Sequence, residues 1–275
     1  MIKVLLYTQA KQAARFIDSI TMERIISAQI NKFESYEDTN LISFDWFNIK
    51  EVEAELSRIT IVHTRENLFF FCENDDSYRM VDSLVKTEED IERSLFLFFN
   101  DLIKDDIDFI ETLEETITDT EDELLTTSES DCAREIIKFR RLLLKLKRYY
   151  EQLNQIFEEF TENENKIIDT RYSRYFRILD NKIDRLFSHV LNLRDYVTQV
   201  REAYQAQIDI QQNNLMKVFT VVTAVFLPLT LIVGWYGMNL QMPEYGWDYG
   251  YLVVIILSLM IIMGCLAFFR HKKWL

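Results

Sequence analysis

The hydrophobic positions of this chain change their rhythm twice between its N-terminus and its C-terminus. The runs MIKVLLYT, LISFDWFNI, RITIVHT and NLFFFCEN are short, rich in Ile, Val and Phe, and bounded by polar residues, which predicts strands. A helical pattern covers about Lys11 to Glu37 between the first two. An α/β layer domain over residues 1–95 follows. From about Glu88 the period is helical throughout. Between Asp101 and Glu123, Leu102, Phe109, Ile110, Leu113 and Ile117 keep helical spacing among Asp105, Asp106, Asp108, Glu111, Glu114, Glu115, Asp119, Glu121, Asp122 and Glu123. TTSESD then makes a turn with Ser128 or Ser130 as N-cap. A return helix runs from Ala133 to Phe160 and is basic in its first half, with Arg134, Lys138, Arg140, Arg141, Lys145, Lys147 and Arg148. This antiparallel hairpin, residues 96–162, sets an acidic arm against a basic one. Charge pairing of a solvated hairpin accounts for that pattern, and a flexible, cation-responsive lever is the functional alternative.

From about Asn165 a third helical pattern begins. Phe176, Leu179, Ile183, Leu186, Val190, Leu193, Tyr196, Val197 and Val200 recur every three or four residues as a packing stripe. No Gly or Pro interrupts it before Pro228. The expectation is one helix from about 165 to 236, roughly 100 Å long at about 1.5 Å per residue. Its cytoplasmic stalk covers 163–214. A helix of that length needs partners to bury its stripe, which predicts an oligomer.

The last quarter of the chain is apolar on every face. Leu215 to Tyr236 holds one charge, Lys217 at its start, and Leu252 to Phe269 holds none. Roughly 20 apolar residues cross a bilayer core, so these are two membrane spans, with 215–236 as the first and 251–269 as the second. Arg270, His271, Lys272 and Lys273 follow the second span, whereas the loop 237–250 contains Glu244 and Asp248 and no base. The positive-inside rule then puts both termini, including the basic tail 270–275, in the cytoplasm, and the loop outside. Trp235, Tyr236, Tyr245, Trp247, Tyr249 and Tyr251 form an outer aromatic belt, and Trp274 marks the inner interface. The segment MIKVLLYTQAKQAARF turns polar too early for a secretory signal. The fold class expected is an α+β membrane protein, mostly helical.

Composition sharpens this. The formal net charge of −14 argues against nucleic acid, which needs clustered Lys and Arg, and suits a cationic partner as well as plain solubility. The five glycines all lie at or after Gly234, and the two prolines are Pro228 and Pro243, so a glycine-rich phosphate loop is excluded from most of the chain. Cys72, Cys132 and Cys265 have no metal-ligand or redox spacing and read as reduced thiols. His63, His189 and His271 are scattered, and no catalytic constellation stands out.

The first span carries a seam. Asn213, Met216, Thr220, Thr223, Leu227, Thr230 and Gly234 fall near one helical stripe, bordered by Phe219. Such a seam suits helices enclosing a central axis and equally a small-residue packing face between membrane helices.

The span ends in Tyr236-Gly237-Met238-Asn239. Met242-Pro243-Glu244 follows in the loop, then the second span, then a tail ending Lys272-Lys273-Trp274-Leu275. This order resembles the CorA family of magnesium channels, two-span transporters with a Gly-Met-Asn signature. The resemblance is specific over about 165–275 and architectural upstream, where the N-terminal domain is short for the family. It implies a funnel-shaped homopentamer with the stalk and first span around a pore. It places Gly237, Met238 and Asn239 at a selectivity filter, with Asn239 forming a ring that holds the ion through its hydration shell. Met242, Pro243, Glu244 and Asp248 would form the external loop. Asn213, Met216, Phe219, Thr223, Leu227 and Thr230 would line the pore, Glu202 and Asp209 the cytoplasmic funnel, and Arg270, Lys272 and Lys273 a basic ring at the exit. Family members often carry methionine where Leu227 lies and leucine where Phe219 lies.

The resemblance further implies passive transport of hydrated divalent cations, magnesium foremost, with cobalt and nickel beside it. It implies no enzyme activity, no cofactor apart from magnesium as cargo and regulator, and a plasma (inner) membrane location. Related bacterial chains follow Tyr-Phe-Arg in the stalk with an aspartate that binds regulatory ions between subunits. Here Ile178 follows Tyr175-Phe176-Arg177. Asp180 lies about 200° further round the helix, so Asp180 and Asp184 are candidates for a different regulatory site. A paralogue that moves zinc or exports cations, and a non-conducting membrane scaffold, are the competing readings.

Overall fold

The computed structural model describes residues 1–27, 29–30, 32–85, 90–126, 130–239 and 246–274, with side chains described outside 124–133. The loop residues Met242, Pro243, Glu244 and Tyr245 and the candidate cap Ser128 lie outside the described residues. The chain divides into two compact units, Met1–Arg201 and Glu202–Leu275.

The first unit begins with a five-stranded sheet. Strand β1 is Ile2–Leu6, β2 Phe33–Ser35, β3 Asn40–Trp46, β4 Ser57–His63 and β5 Leu68–Cys72, in the order β1-β5-β4-β3-β2. β1 pairs parallel to β5, with Val4 opposite Phe70, and every other pairing is antiparallel. The expected helix over Lys11–Glu37 is replaced by a 3-10 segment, Tyr7–Ala13, a short helix α1, Ser19–Ile26, and the strand β2. Asp18 caps α1 by accepting from the amides of Ile20 and Thr21, which stops any helix from running through that position.

The two faces of the sheet are covered differently. Leu5, Leu41, Val62, Phe69 and Phe71 pack with Ala10, Ala13, Met22 and Ile25 of the 3-10 segment and α1. The other face meets α3, Ile91–Leu102, and the long helix α5, Ser130–Glu162, while α6, Thr170–Tyr236, packs on α5. Aromatic rings make the junction. Phe70 lies 4.8 Å from Phe98, Phe99 lies 5.0 Å from Phe157, and Phe160 stacks on Phe176 at 4.9 Å. Helix α2, Asp75–Leu84, is closed at its start by a reciprocal Asn74–Ser77 capping box. Helix α4, Asp106–Thr126, completes the unit.

Part of the hairpin's charge is used within its basic arm and against the sheet domain. Lys138 binds Glu135 and Lys147 binds Glu151, both within α5, while Lys145 donates to the Val52 carbonyl of the sheet domain. The acidic α4 is also tied to α6, where His189 bonds Glu114 at 2.9 Å and Tyr196 donates to Glu121. The stripe from Phe176 to Val200 is buried inside this single chain. Its partner helices are therefore the chain's own, and the stripe by itself demands no oligomer.

Between α5 and α6 the chain reverses without glycine. Asn163 and Lys166 take left-handed φ values of 44° and 57°. The Asn163 side chain donates to the Ile168 carbonyl and accepts from the Ile168 amide, at 2.8 and 3.2 Å. Asn is among the few side chains that visit this region readily.

Two buried titratable groups pull in opposite directions with pH. His63 is fully buried with neither ring nitrogen bonded among the described residues, and burial lowers its pKa from 6.5 to about 4. Its stabilising contribution is complete above pH 6.5 and is lost as pH falls towards 4. Asp106 is buried against the Tyr150 hydroxyl at 2.8 Å, and burial raises its pKa from 3.8 to about 6 although that hydrogen bond opposes the rise. Its contribution is complete below pH 3.8 and is lost as pH rises through 6. Each is worth on the order of 3 kcal/mol. His63→Met is therefore expected to leave a protein whose melting temperature falls from pH 4 to pH 6. Asp106→Asn should leave one whose melting temperature rises from pH 4 to pH 6.5. Thermal unfolding of the detergent-solubilised protein across that range checks both, and parallel profiles for the two variants would contradict them.

Candidate cation-conduction site

The second unit consists of the remainder of α6 from Glu202 and the helix α7, Gly250–His271. Both helices are long and apolar enough to cross a membrane, and only 6% of either apolar window is buried within the chain. A soluble protein's core helix would be mostly covered, so this exposure fits a lipid or inter-subunit surround.

α7 covers one face of α6. Val221 is buried, and Ala224, Val225, Pro228, Ile232 and Tyr236 are half-buried at helical spacing. The sequence seam lies on the opposite face. At about 100° per residue, Met216, Thr220, Thr223, Leu227, Thr230 and Gly234 centre roughly 150° from the α7 contact. All are exposed, Leu227 at 68%, and Phe219 beside them at 65%. Their chemistry is neutral. The hydroxyls of Thr220, Thr223 and Thr230 donate to the carbonyls of Met216, Phe219 and Phe226 at 2.7–2.8 Å. This satisfies the donor inside the helix and leaves oxygen lone pairs outward to accept from water. Asn213, at the start of the seam, is exposed, and its side chain has no hydrogen-bond partner among the described residues.

The seam runs into the end of α6. The Gly237 amide donates to the Val233 carbonyl at 2.8 Å, and a Cβ on Gly237 would stand 2.9 Å from that same oxygen. Glycine is needed here by crowding of the last helical turn, since its φ is not positive. Met238 and Asn239 follow, both exposed. The remaining residues singled out from the sequence are also exposed. Glu202 is unpaired among the described residues, and Asp209 accepts from Gln205 at 3.2 Å. At the end of α7, Lys272 sits 5.5 Å from the Phe268 ring, and Trp274 stacks on the buried Phe269 at 5.7 Å. Arg270 and Lys273 are exposed beside them, as is Asp248 before α7.

Asp180 and Asp184 do come into electrostatic range. Burial, then Asp184 and Glu158, raises the Asp180 pKa. Among the described residues, however, no group of three or more His, Cys, Asp or Glu side chains is placed to hold a metal. A regulatory ion there would need donors from elsewhere. Ile178 is an exposed apolar side chain on α6.

One further contact joins α6 and α7 and is not legible from periodicity. Pro228 lies inside α6 and has no N–H, so the Ala224 carbonyl loses its normal partner four residues on. The Cys265 thiol of α7 approaches that carbonyl at 3.7 Å. A neighbouring helix thereby supplies the donor that proline removed, as membrane helices require.

An α/β unit followed by two helices long and apolar enough to cross a membrane is the arrangement of a two-span membrane protein. Residues 16–273 match the family model of CorA-like Mg2+ transporter proteins, and the chain belongs to that family. It is 26% identical over 272 residues to the cobalt/magnesium transport protein CorA of Thermotoga maritima, covering 94% of this chain and 77% of that relative. Its fold matches the complete structure of the CorA magnesium transporter from Methanocaldococcus jannaschii with a TM-score of 0.80 at 20% identity, over 98% of this chain and 88% of that one. The full-length CmaX structure has a TM-score of 0.76 at 14% identity, over 99% of this chain and 88% of the other.

The pairing of Pro228 with Cys265 yields a sharp expectation. Cys265→Ala should weaken the α6–α7 contact by about 0.6 kcal/mol, the usual scale of such hydrogen bonds in membranes, and Cys265→Ser should retain it. In a Pro228→Ala background, where an amide again reaches Ala224, the Cys265→Ala cost should vanish. A double-mutant cycle on thermal stability checks the coupling, and additive effects would refute it.

Proposed function

We propose that this chain is one subunit of a homopentameric channel that passes hydrated divalent cations, magnesium foremost with cobalt and nickel beside it, down their electrochemical gradient. The observation that carries the reading is the neutral polar seam on the α6 face opposite α7, running from Asn213 to Thr230 and ending at Gly237-Met238-Asn239. Helices bearing one such seam each, backed by α7, would enclose a pore lined by Asn213, Met216, Phe219, Thr223, Leu227 and Thr230. The names of the relatives, magnesium and cobalt/magnesium transport proteins, support the choice of cargo.

The chemistry is consistent. Magnesium releases its waters reluctantly. A ring of Asn239 amides can hydrogen-bond its hydration shell, whereas a ring of carboxylates would hold the ion too tightly to release it. Glu244 and Asp248 raise cation concentration at the mouth, and Glu202 and Asp209 do so in the cytoplasmic funnel. Phe219 and Leu227 are apolar constrictions able to close by dewetting. Arg270, Lys272 and Lys273 anchor the second span at the cytoplasmic face of the inner membrane and ring the exit. With both termini inside, the membrane potential favours entry by about 2.3 kcal/mol per charge per 100 mV, roughly twice that for a divalent ion.

Flux into proteoliposomes under an inside-negative potential tests this, with magnesium, cobalt, nickel and zinc compared. Magnesium entry is expected, and Asn239→Ala should cut it by about tenfold or more. Zinc entry without magnesium would favour a zinc-transporting paralogue. Failure of every ion to move would leave a non-conducting scaffold. The mass of the solubilised particle should be five times that of the chain, and a dimer would exclude the pore geometry.

A further inference from the structure

Three arginines stand out in a chain of net charge −14. Arg140 and Arg141 of α5 and Arg194 of α6 flank a cleft of about 360 Å³ whose apolar side is Ile137 and Leu144. Ile137 and Leu144 are 49% and 40% exposed. None of the three guanidinium groups has a carboxylate partner among the described residues. The cleft's own acid, Asp195, is unpaired too. Ile137, Arg141 and Leu144 recur at helical spacing, with Arg140 beside them, so α5 presents a mixed cationic and apolar ridge rather than a scattered set of surface charges.

The same unit carries a complementary surface. On α4, Asp108, Glu111, Glu115 and Asp119 are exposed and lie at spacings of three and four, opposite the buried Ile110, Leu113 and Ile117. These four carboxylates also lack partners among the described residues. Between them, Thr112 and Thr116 donate their hydroxyls to the carbonyls of Asp108 and Thr112 at 2.8 Å. The acidic ridge complements the basic cleft in charge. The chain cannot join the two itself. α4 is fixed to α6 through His189 and Tyr196. These lie about 170° around α6 from Arg194 and Thr198 at the cleft.

We propose that the α5–α6 cleft of one subunit receives the acidic ridge of α4 from a second copy of this chain. The inference rests on the oligomeric reading above and deepens it. Because the two patches differ, the contact is head-to-tail, the kind that closes rings. Desolvation on docking strengthens the arginine–carboxylate pairs relative to open surface, and salt weakens them.

The test is a cross-link in trans. Full-length chains carrying Leu144→Cys under one tag and Glu115→Cys under another are co-expressed and oxidised in the membrane. A dimer bearing both tags is expected, absent when either variant is paired with the unsubstituted chain. Arg140→Glu with Arg141→Glu should lower its yield roughly tenfold, and Glu111→Arg with Asp119→Arg on the partner should restore it. An oligomeric particle that gives no mixed-tag dimer overturns the docking while leaving the oligomer intact. A monomeric unsubstituted particle overturns both.

Discussion

The carbonyl of Ala224 faces a hydrogen-bond problem that a bilayer makes acute. Water could repair a helix broken by Pro228 on a soluble surface, but hydrocarbon offers no donor. The Cys265 thiol fills that place from α7. This interaction satisfies the carbonyl freed by the proline and lies on the face of α6 that the second span covers. The face left over is the seam. The orientation of every proposed pore residue depends on this choice of back and front.

The α/β unit buries the other half of α6. Phe176, at the head of the buried stripe, stacks on Phe160 of α5 at 4.9 Å. Burial of such rings is a large favourable contribution to folding. The polar ties then set register. Glu114 and Glu121 on α4 meet His189 and Tyr196 on α6 seven residues apart on each helix. The acidic arm is consequently a strut against α6, with Asp108, Glu111, Glu115 and Asp119 unpaired among the described residues.

Much of the candidate site was legible in advance because it depends on local periodicity. The two spans, the single long helix, the seam and the glycine at its end all follow from spacings of three and four and from the absence of Gly and Pro before Pro228. The chain's own family membership follows from the same segment. What misled was also local. The residues from Lys11 to Glu37 carry a helical rhythm, yet Asp18 caps a short helix and Phe33–Ser35 joins the sheet as an edge strand. Hydrogen bonding to β3 outweighs the propensity of so short a stretch. The partners of Lys138, Lys145 and Lys147 in α5 and the sheet domain were not legible from charge pattern alone.

By itself the sequence determined the membrane spans, the continuity of α6 and the residues sharing each helical face, because these are set by backbone geometry and the cost of burying polar groups in lipid. The tertiary structure alone decided what each face meets. It buried the Phe176–Val200 stripe within one chain and turned the seam away from α7. It also left His63 unbonded among the described residues and Arg140, Arg141 and Arg194 facing an open cleft. Such outcomes depend on residues far apart in sequence competing for the same contacts, and periodicity along a single helix carries no record of that competition.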